Sequence, residues 1–315
     1  MSHALPVRPE DFEKAFIEKV FAAPSGSLRS LTHEPVGTGQ VCDSYRFTCD
    51  WADGEGPATF IAKCPSADPV SRGAAAIFHL YDMEVGWYRD MAPGSGVLCP
   101  GSYHADISEN EQEFVLLLQD MSPAGQGDQL AGASLLQVET TLAAAAALHN
   151  IQPKGGFEAY AWLHHGAGNS AFMQNSLPAG YPVFRERFRD LLASDILDLG
   201  QELIDRLARY VAHEPPELTI THGDMRLDNI LFHDGGRVAA LVDWQTCSLG
   251  NPANDVAYMI GAFWQEYRRH AFSGFIMAIN ASLHVEQTER GDRMFAAMAE
   301  RPAQMALDLD SLSLL

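Results

Sequence analysis

At 315 residues the chain is long enough for two lobes, each with a core of its own. It is 47% hydrophobic and 20% charged, which excludes a disordered chain, and no apolar run approaches the length of a membrane span. The formal net charge of −20 argues against nucleic acid and anionic membrane as main partners, since both are polyanions. The same charge either serves solubility or favours a cationic small molecule. Five cysteines form no C-x-x-C and are odd in number, so reduced thiols in a cytoplasm are expected rather than a disulfide framework or a zinc site. The opening MSHALPVRPEDFEK lacks the basic-then-apolar pattern of a secretory signal.

In chain order, Glu10 to Ala22 reads as an amphipathic helix. Gly37-Thr38-Gly39 stands at the foot of the first strand. It is either an ordinary turn or a place where backbone N–H groups approach phosphate oxygens, and Cys42 stands where a third glycine would complete G-x-G-x-x-G. Val41–Phe47 and Thr59–Lys63 are strand-like, with the turn Ala52–Pro57 between them, and predict a hairpin. Ala74 to Met91 has helical periodicity, with Ile77, Leu80, Tyr81, Tyr88 and Met91 on one stripe. Glu84 falls on that stripe, and Lys63 ends an apolar strand. The two either pair as buried charges or both reach to water. Phe114–Leu118 reads as a strand buried on both faces, and the Gly-rich stretch after Met121 as a lobe boundary. Ser134 to His149 is a helix by its alanine content. Trp162, His164, His165, Phe172 and Tyr181 either pack the second lobe or line a pocket. Pro215-Pro216 stops a helix, and Asn254-Asp255 caps the next one, which begins at Val256.

The stretch TITHGDMRLDNILFHDGGRVAALVD, from Thr219 to Asp243, carries the chemistry. Gly235-Gly236 between two β-prone runs predicts a tight hairpin. With those two residues as the loop, Asp234 faces Arg237, Asp228 faces Asp243 and Asn229 faces Val242. Asp224, Asn229 and Asp243 then gather at one end. Their oxygens are hard ligands suited to Mg²⁺. Asp-x-x-x-x-Asn followed by an Asp on the next strand is a phosphoryl-transfer arrangement. One Asp (Asp224) receives the acceptor hydroxyl's proton, while Asn229 and Asp243 hold metal on the ATP phosphates. A solvated hairpin with ordinary turn residues is the plainer alternative.

Taken together, the glycine turn, the strand Lys, the helix Glu, HGD-x₄-N and the hairpin Asp resemble the aminoglycoside phosphotransferase and choline-kinase-like superfamily. HGDMRLDNILF, LVDWQTCSLGNPANDVAYMI and YRRHAFSGFIMAI are most similar to its ecdysteroid-kinase-like branch. The resemblance implies an α+β, bilobal protein-kinase-like fold. Residues 1–119 would form a small β-rich lobe and 120–315 a larger, mostly helical one. It further implies ATP and Mg²⁺ as cofactors and a small-molecule hydroxyl as acceptor. Lys63 would touch the α- and β-phosphates, held by Glu84. Gln119, Asp120 and Met121 would form the strip facing adenine. His222 would brace the catalytic loop, with Asp255 anchoring it. The acceptor is left open among aminoglycosides, choline-like amines, sterols and hydroxyacyl thioesters, the last because similar domains are fused to acyl-CoA dehydrogenases. Met259–Ala262 runs almost directly into Phe263–Arg269, where relatives carry an extra helical stretch. That shortening keeps a second reading in play, a nucleotide-binding pseudokinase or scaffold. A metal-dependent hydrolase using His222 and His233 is a third, and it leaves Lys63 and Glu84 unexplained.

Overall fold

The computed structural model describes residues 5–37, 41–52, 56–129, 133–213, 217–260, 272–308 and 311–314. Gly39, the stop at Pro215-Pro216 and the shortened segment with Tyr267, Arg268 and Arg269 lie outside the described residues. The chain forms two compact units, Met1–Pro123 and Ala124–Leu315.

The first unit is a five-stranded antiparallel sheet in the order β1-β2-β3-β5-β4. Its strands are β1 (Leu28–Pro35), β2 (Cys42–Trp51), β3 (Thr59–Pro65), β4 (Ser102–Ile107) and β5 (Phe114–Gln119). The apolar run of β5 is buried from Phe114 to Leu118, as a central strand covered on both faces requires. One face carries a core of Phe12, Ile17, Phe47, Phe60, Val115 and Leu117, in which the Phe47 and Phe60 rings stack 5.0 Å apart.

Two expected helices of this unit are broken. The Glu10–Ala22 helix is a 3₁₀ turn, Pro9–Asp11, followed by α1 (Lys14–Val20). The Asp11 carboxylate accepts from the backbone N–H groups of Val7 (3.1 Å) and Arg8 (2.9 Å), closing the first turn on itself. The Ala74–Met91 helix is α2 (Pro69–Ile77) and α3 (Leu80–Gly86), with a widened turn over Trp87–Met91. His79, at φ 55°, reverses the chain between α2 and α3 and resets the helical phase. Ile77 therefore leaves the apolar stripe and is 69% exposed, while Tyr81, Glu84, Tyr88 and Met91 stay buried.

The second unit opens with β6 (Gly125–Gln126) and α4 (Leu135–His149). Ser134 caps α4, because its hydroxyl accepts from Gln137 N while the Gln137 side chain accepts from Ser134 N. Two small sheets follow, β10-β7 and β6-β8-β9, built from β7 (Thr219–Thr221), β8 (Ile230–Phe232), β9 (Val238–Leu241) and β10 (Ser248–Gly250). A helical core surrounds Tyr181, Phe184, Phe188, Phe272 and Phe275. It is contributed largely by α5 (Asn169–Phe188), α6 (Ser194–Asp205), α9 (Ser273–Ser282) and α10 (Glu289–Asp308). α7 (Leu207–Val211) and α8 (Pro252–Ile260) complete the described α-helices.

The hairpin differs from its expected form at the tip. Ile230 faces Leu241, Leu231 faces Ala240 and Val242 N donates to Asn229 O at 2.9 Å, as the sequence register requires. Phe232, however, faces Val238, and His233 N donates to Arg237 O at 2.9 Å. The loop is therefore Asp234-Gly235-Gly236, and one extra residue on β9 forms a bulge that restores the register below it. Gly235 and Gly236 both lie at positive φ, 93° and 85°, a region in which a side chain is strained. Asp228 belongs to a 3₁₀ turn, Leu227–Asn229, and not to the strand pairing. Its carboxylate accepts from Gln129 N at 2.9 Å.

Candidate active site

In the second unit, the loop after β7 is built around one buried carboxylate. Asp255, 1% exposed, accepts from the backbone N–H groups of His222 (2.9 Å) and Gly223 (2.8 Å) and from His149 Nε2 (2.9 Å). This corrects the expected cap. α8 begins at Pro252, Asn251 caps it by accepting from Ala253 N at 2.9 Å, and Asp255 lies inside the helix facing the loop. The His222 ring is fixed on both nitrogens. Nε2 lies 3.0 Å from Val242 O, which only accepts, so the proton sits on Nε2, and Nδ1 accepts from Asp224 N at 3.3 Å. The ring also lies against Trp244, 4.7 Å between centroids. Gly223 has φ +79°, and a Cβ there would stand 2.5 Å from Thr246 O, so only glycine passes.

These restraints place Asp224, 7% exposed, at the loop's inner edge. Its Oδ2 accepts from Arg226 Nε (3.1 Å) and Asn229 Nδ2 (2.9 Å). Its Oδ1 is buried with no hydrogen-bond partner. Arg226 is half-buried, and the surrounding carboxylates of Asp224, Asp243 and Asp228 outweigh its desolvation and raise its pKa above the ordinary range. Asn229 Nδ2 also donates to Asp224 O at 2.9 Å, which leaves the amide oxygen as the end free to meet a cation. Asp243 follows Val242, the residue opposite Asn229, and holds φ 68°, an uncommon backbone state for a side-chain-bearing residue. Gln245 Nε2 donates to its Oδ2 at 3.3 Å. An oxygen-only donor set of one amide and one carboxylate suits Mg²⁺.

In the first unit, Lys63 and Glu84 pair. Lys63 Nζ lies 2.6 Å from Glu84 Oε1, with the residues 8% and 0% exposed. Lys63 sits on β3 between Ser44 and Leu116, so its stem is walled by the neighbouring strands. At such burial an unpaired charge is costly, which explains why the two residues meet instead of reaching to solvent. Gly37 is exposed with φ 75°. Gln119, at the end of β5, exchanges hydrogen bonds with Gly101, its N donating to Gly101 O (2.7 Å) and its Oε1 accepting from Gly101 N (3.3 Å). The Asp120 carboxylate is gripped by Arg46 through Nε (2.8 Å) and Nη2 (3.3 Å), and accepts from Ser122 N at 3.0 Å. Its side chain is thus committed to the sheet, and Met121 next to it is half-buried.

A cavity of ≈ 550 Å³ opens in the second unit. Its lining includes Arg226, Tyr258, Met298, Arg301, Pro302 and Met305. The aromatic candidates for such a pocket are elsewhere. Trp162 is 4% exposed, and Tyr181 belongs to the helical core, with its hydroxyl donating to Leu197 O. His164 Nε2 lies 3.3 Å from Phe157 O, and Phe172 is half-buried outside the cavity lining. The His165 side chain lies outside the described residues. The lining residues of α10 were unmarked in the sequence except by amphipathicity.

The fold, an antiparallel sheet unit followed by a mostly helical one, is the α+β kinase-like fold of the aminoglycoside phosphotransferases. It matches APH(2")-IIa in its ternary complex with streptomycin and ATP (TM-score 0.51, 12% identity, covering 94% of this chain and 98% of that one). It also matches the gentamicin complex of the same enzyme (TM-score 0.50, 13% identity, covering 99% and 97%). The chain belongs to the phosphotransferase enzyme family, whose model matches residues 53–295. Among curated proteins it is similar to acyl-CoA dehydrogenase family member 10 of Mus musculus, 36% identical over 78 residues, which is 24% of this chain and 7% of that protein. It is likewise similar to family member 11 of Homo sapiens, 38% identical over 66 residues, 20% of this chain and 8% of that protein. The probable acyl-CoA dehydrogenase IBR3 of Arabidopsis thaliana is 41% identical over 61 residues, 18% of this chain and 7% of that protein. The matched stretches are a small part of these relatives.

Proposed function

We propose that the chain is an ATP- and Mg²⁺-dependent kinase that moves the γ-phosphoryl group to a hydroxyl of a small molecule. The observation that carries this reading is the environment of Asp224. It is a buried carboxylate on a loop held by Asp255, with one oxygen paired and the other facing no partner. A group so placed is suited to receive the acceptor's proton. In the reaction, the acceptor oxygen forms a bond to the γ-phosphorus and its proton passes to Asp224. The bond from that phosphorus to the β–γ bridging oxygen breaks, and its electron pair leaves with ADP. The transition state is loose, so positioning and charge neutralisation do most of the work.

Asn229 and Asp243 are assigned to magnesium, which supplies neutralisation of phosphate charge when bound. Lys63, steadied by Glu84, is assigned to the α- and β-phosphates. Gly37 and Gly39 are assigned to the phosphate turn, and Gln119, Asp120 and Met121 to the adenine strip. Since the Asp120 carboxylate is held by Arg46, that strip would offer backbone groups there. Residues 1–119 are read as the nucleotide-binding lobe and 120–315 as the catalytic lobe. All five cysteines are free thiols, which supports a reducing, cytoplasmic setting. No described helix is long and apolar enough to cross a membrane.

For the acceptor, the similarity to acyl-CoA dehydrogenase family members favours hydroxyacyl thioesters over the sterols suggested by the ecdysteroid-kinase-like motifs. The structural neighbours carry aminoglycosides. A transfer screen with Mg·ATP against amines, sterols and hydroxyacyl-CoAs tests the reading directly. Asp224→Asn is expected to lower turnover by roughly 10²–10⁴-fold with the KM for ATP nearly unchanged. Mg·ATP binding without transfer to any alcohol would instead establish a pseudokinase.

A further inference from the structure

The cavity beside the catalytic loop has a definite chemical character. Among its described lining residues, Met298, Pro302 and Met305 stand on one face of α10, at i, i+4 and i+7. Met259, Ala257 and Leu227 extend this apolar surface from the opposite side of the sequence. The charged members among these described residues are two arginines and one carboxylate. Arg226 is paired with Asp224, Arg301 Nη1 donates to Gln129 O at 2.7 Å, and Asp308 Oδ1 accepts from Gln304 Nε2 at 2.9 Å. A polycation needs several carboxylates to replace its water, and the described residues of this wall do not offer them. Methionines, flexible and polarisable, suit irregular apolar ligands. Although the protein carries a net charge of −20, that charge is not concentrated in this wall.

Tyr258, on α8, also lines the cavity. Its hydroxyl is buried without a hydrogen-bond partner, as is Asp224 Oδ1. Each such orphaned polar atom is a cost to the folded state. The Asp224 carboxylate acts on the phenol through its charge and as a hydrogen-bonding neighbour, although neither the Tyr258 hydroxyl nor Asp224 Oδ1 completes a hydrogen bond of normal geometry. Burial and then Asp224 push the Tyr258 pKa well above its ordinary value, so the phenol keeps its proton and remains a donor. A donor on a residue of the cavity wall and an acceptor beside it, neither completing a well-formed hydrogen bond, are the complement of one hydroxyl group. An alcohol donates its hydrogen to Asp224 and accepts from Tyr258, with a lone pair left for phosphorus.

We propose that this cavity takes an alcohol with an apolar body, and that the Tyr258 hydroxyl holds the alcohol's oxygen while Asp224 Oδ1 faces its hydrogen. The proposal rests on the kinase reading and names its acceptor class. Tyr258 is thereby a substrate-positioning residue.

The test uses the full chain and two probes, cyclododecanol and kanamycin, by calorimetric titration without nucleotide, followed by transfer assays with Mg·ATP. Cyclododecanol is expected to bind, about fivefold more weakly to Tyr258→Phe, which lacks one hydrogen bond, and at least about tenfold more weakly to Met305→Lys, which places a charge on the apolar wall. In turnover, Tyr258→Phe is expected to raise the KM for the alcohol while leaving that for ATP within about twofold. It is also expected to raise the melting temperature of the free protein, since it removes an orphaned buried hydroxyl; a merely structural tyrosine gives a fall. Binding of kanamycin in place of cyclododecanol, equal affinities across the variants, or no binding of cyclododecanol overturns the proposal. Binding with the expected variant pattern but no phosphate transfer supports the cavity assignment and removes the kinase reading alone.

Discussion

Asp224 owes its position to residues that make no contact with a substrate. Gly223 is the sharpest case, because both its φ of +79° and the nearness of Thr246 O forbid a side chain. Gly223→Ala is expected to cost at least ~2 kcal/mol of stability, read by urea denaturation, and to depress turnover with it. Asp255→Ala would strip three hydrogen bonds from one buried acceptor and is expected to cost about 3 kcal/mol or more on the same measurement. Lys63 and Glu84 make a buried pair, and Glu84→Gln is expected to destabilise by about 3–5 kcal/mol, whereas Lys63→Met with Glu84→Leu together costs far less. A double-mutant cycle separates those outcomes. The convergence of Asp224 with Asn229 was legible in the sequence, since spacing alone brings them to one end of a hairpin. The bracing by Asp255 was less so. As a helix cap it satisfied local rules equally well, and only the fold decides which backbone amides a carboxylate meets.

At the level of elements, local chemistry prevailed over periodicity wherever the two disagreed. The stripe through Ile77 and Tyr81 is continuous in sequence, but His79 reverses the backbone and resets the phase. Periodicity has no means of registering a single left-handed residue. The hairpin is the converse. The tip differs by one residue from the two-residue loop that the glycines predict, yet the register at Asn229 holds, because the bulge on β9 absorbs the difference. Gly235→Ala should therefore strain the turn without shifting the ladder, at a cost of about 1 kcal/mol by thermal melting. Ser134 offers a comparable measure for α4. Removing its capping hydroxyl as Ser134→Ala is expected to cost about 1 kcal/mol, with the KM for ATP unaltered.

Over the whole molecule, burial sets how stability depends on pH. Desolvation pushes the Cys49 thiol up to about 11 and the Cys64 thiol up to about 12, from an ordinary 9.0. Unfolded, these thiols ionise above pH 9 while the folded ones stay protonated. Their contribution is complete below pH 9 and is lost as pH rises through the folded values, at up to about 1.4 kcal/mol per pH unit for each thiol. Melting temperature should thus fall between pH 9 and 11, and less steeply in Cys64→Ala. The division into a sheet unit and a helical unit was readable from the order of strand-like and helical runs, but the cavity was not, because its walls come from α8 and α10, far apart in sequence. One feature of α8 bears on how such an enzyme could diversify. Asp255 and Tyr258 lie three residues apart on the same face of a single rod. Turning that rod to admit a bulkier guest would drag the loop's moorings with it. New substrate ranges should therefore arise first by exchanging methionines on the facing helix, which can be traded one at a time without disturbing the site of chemistry.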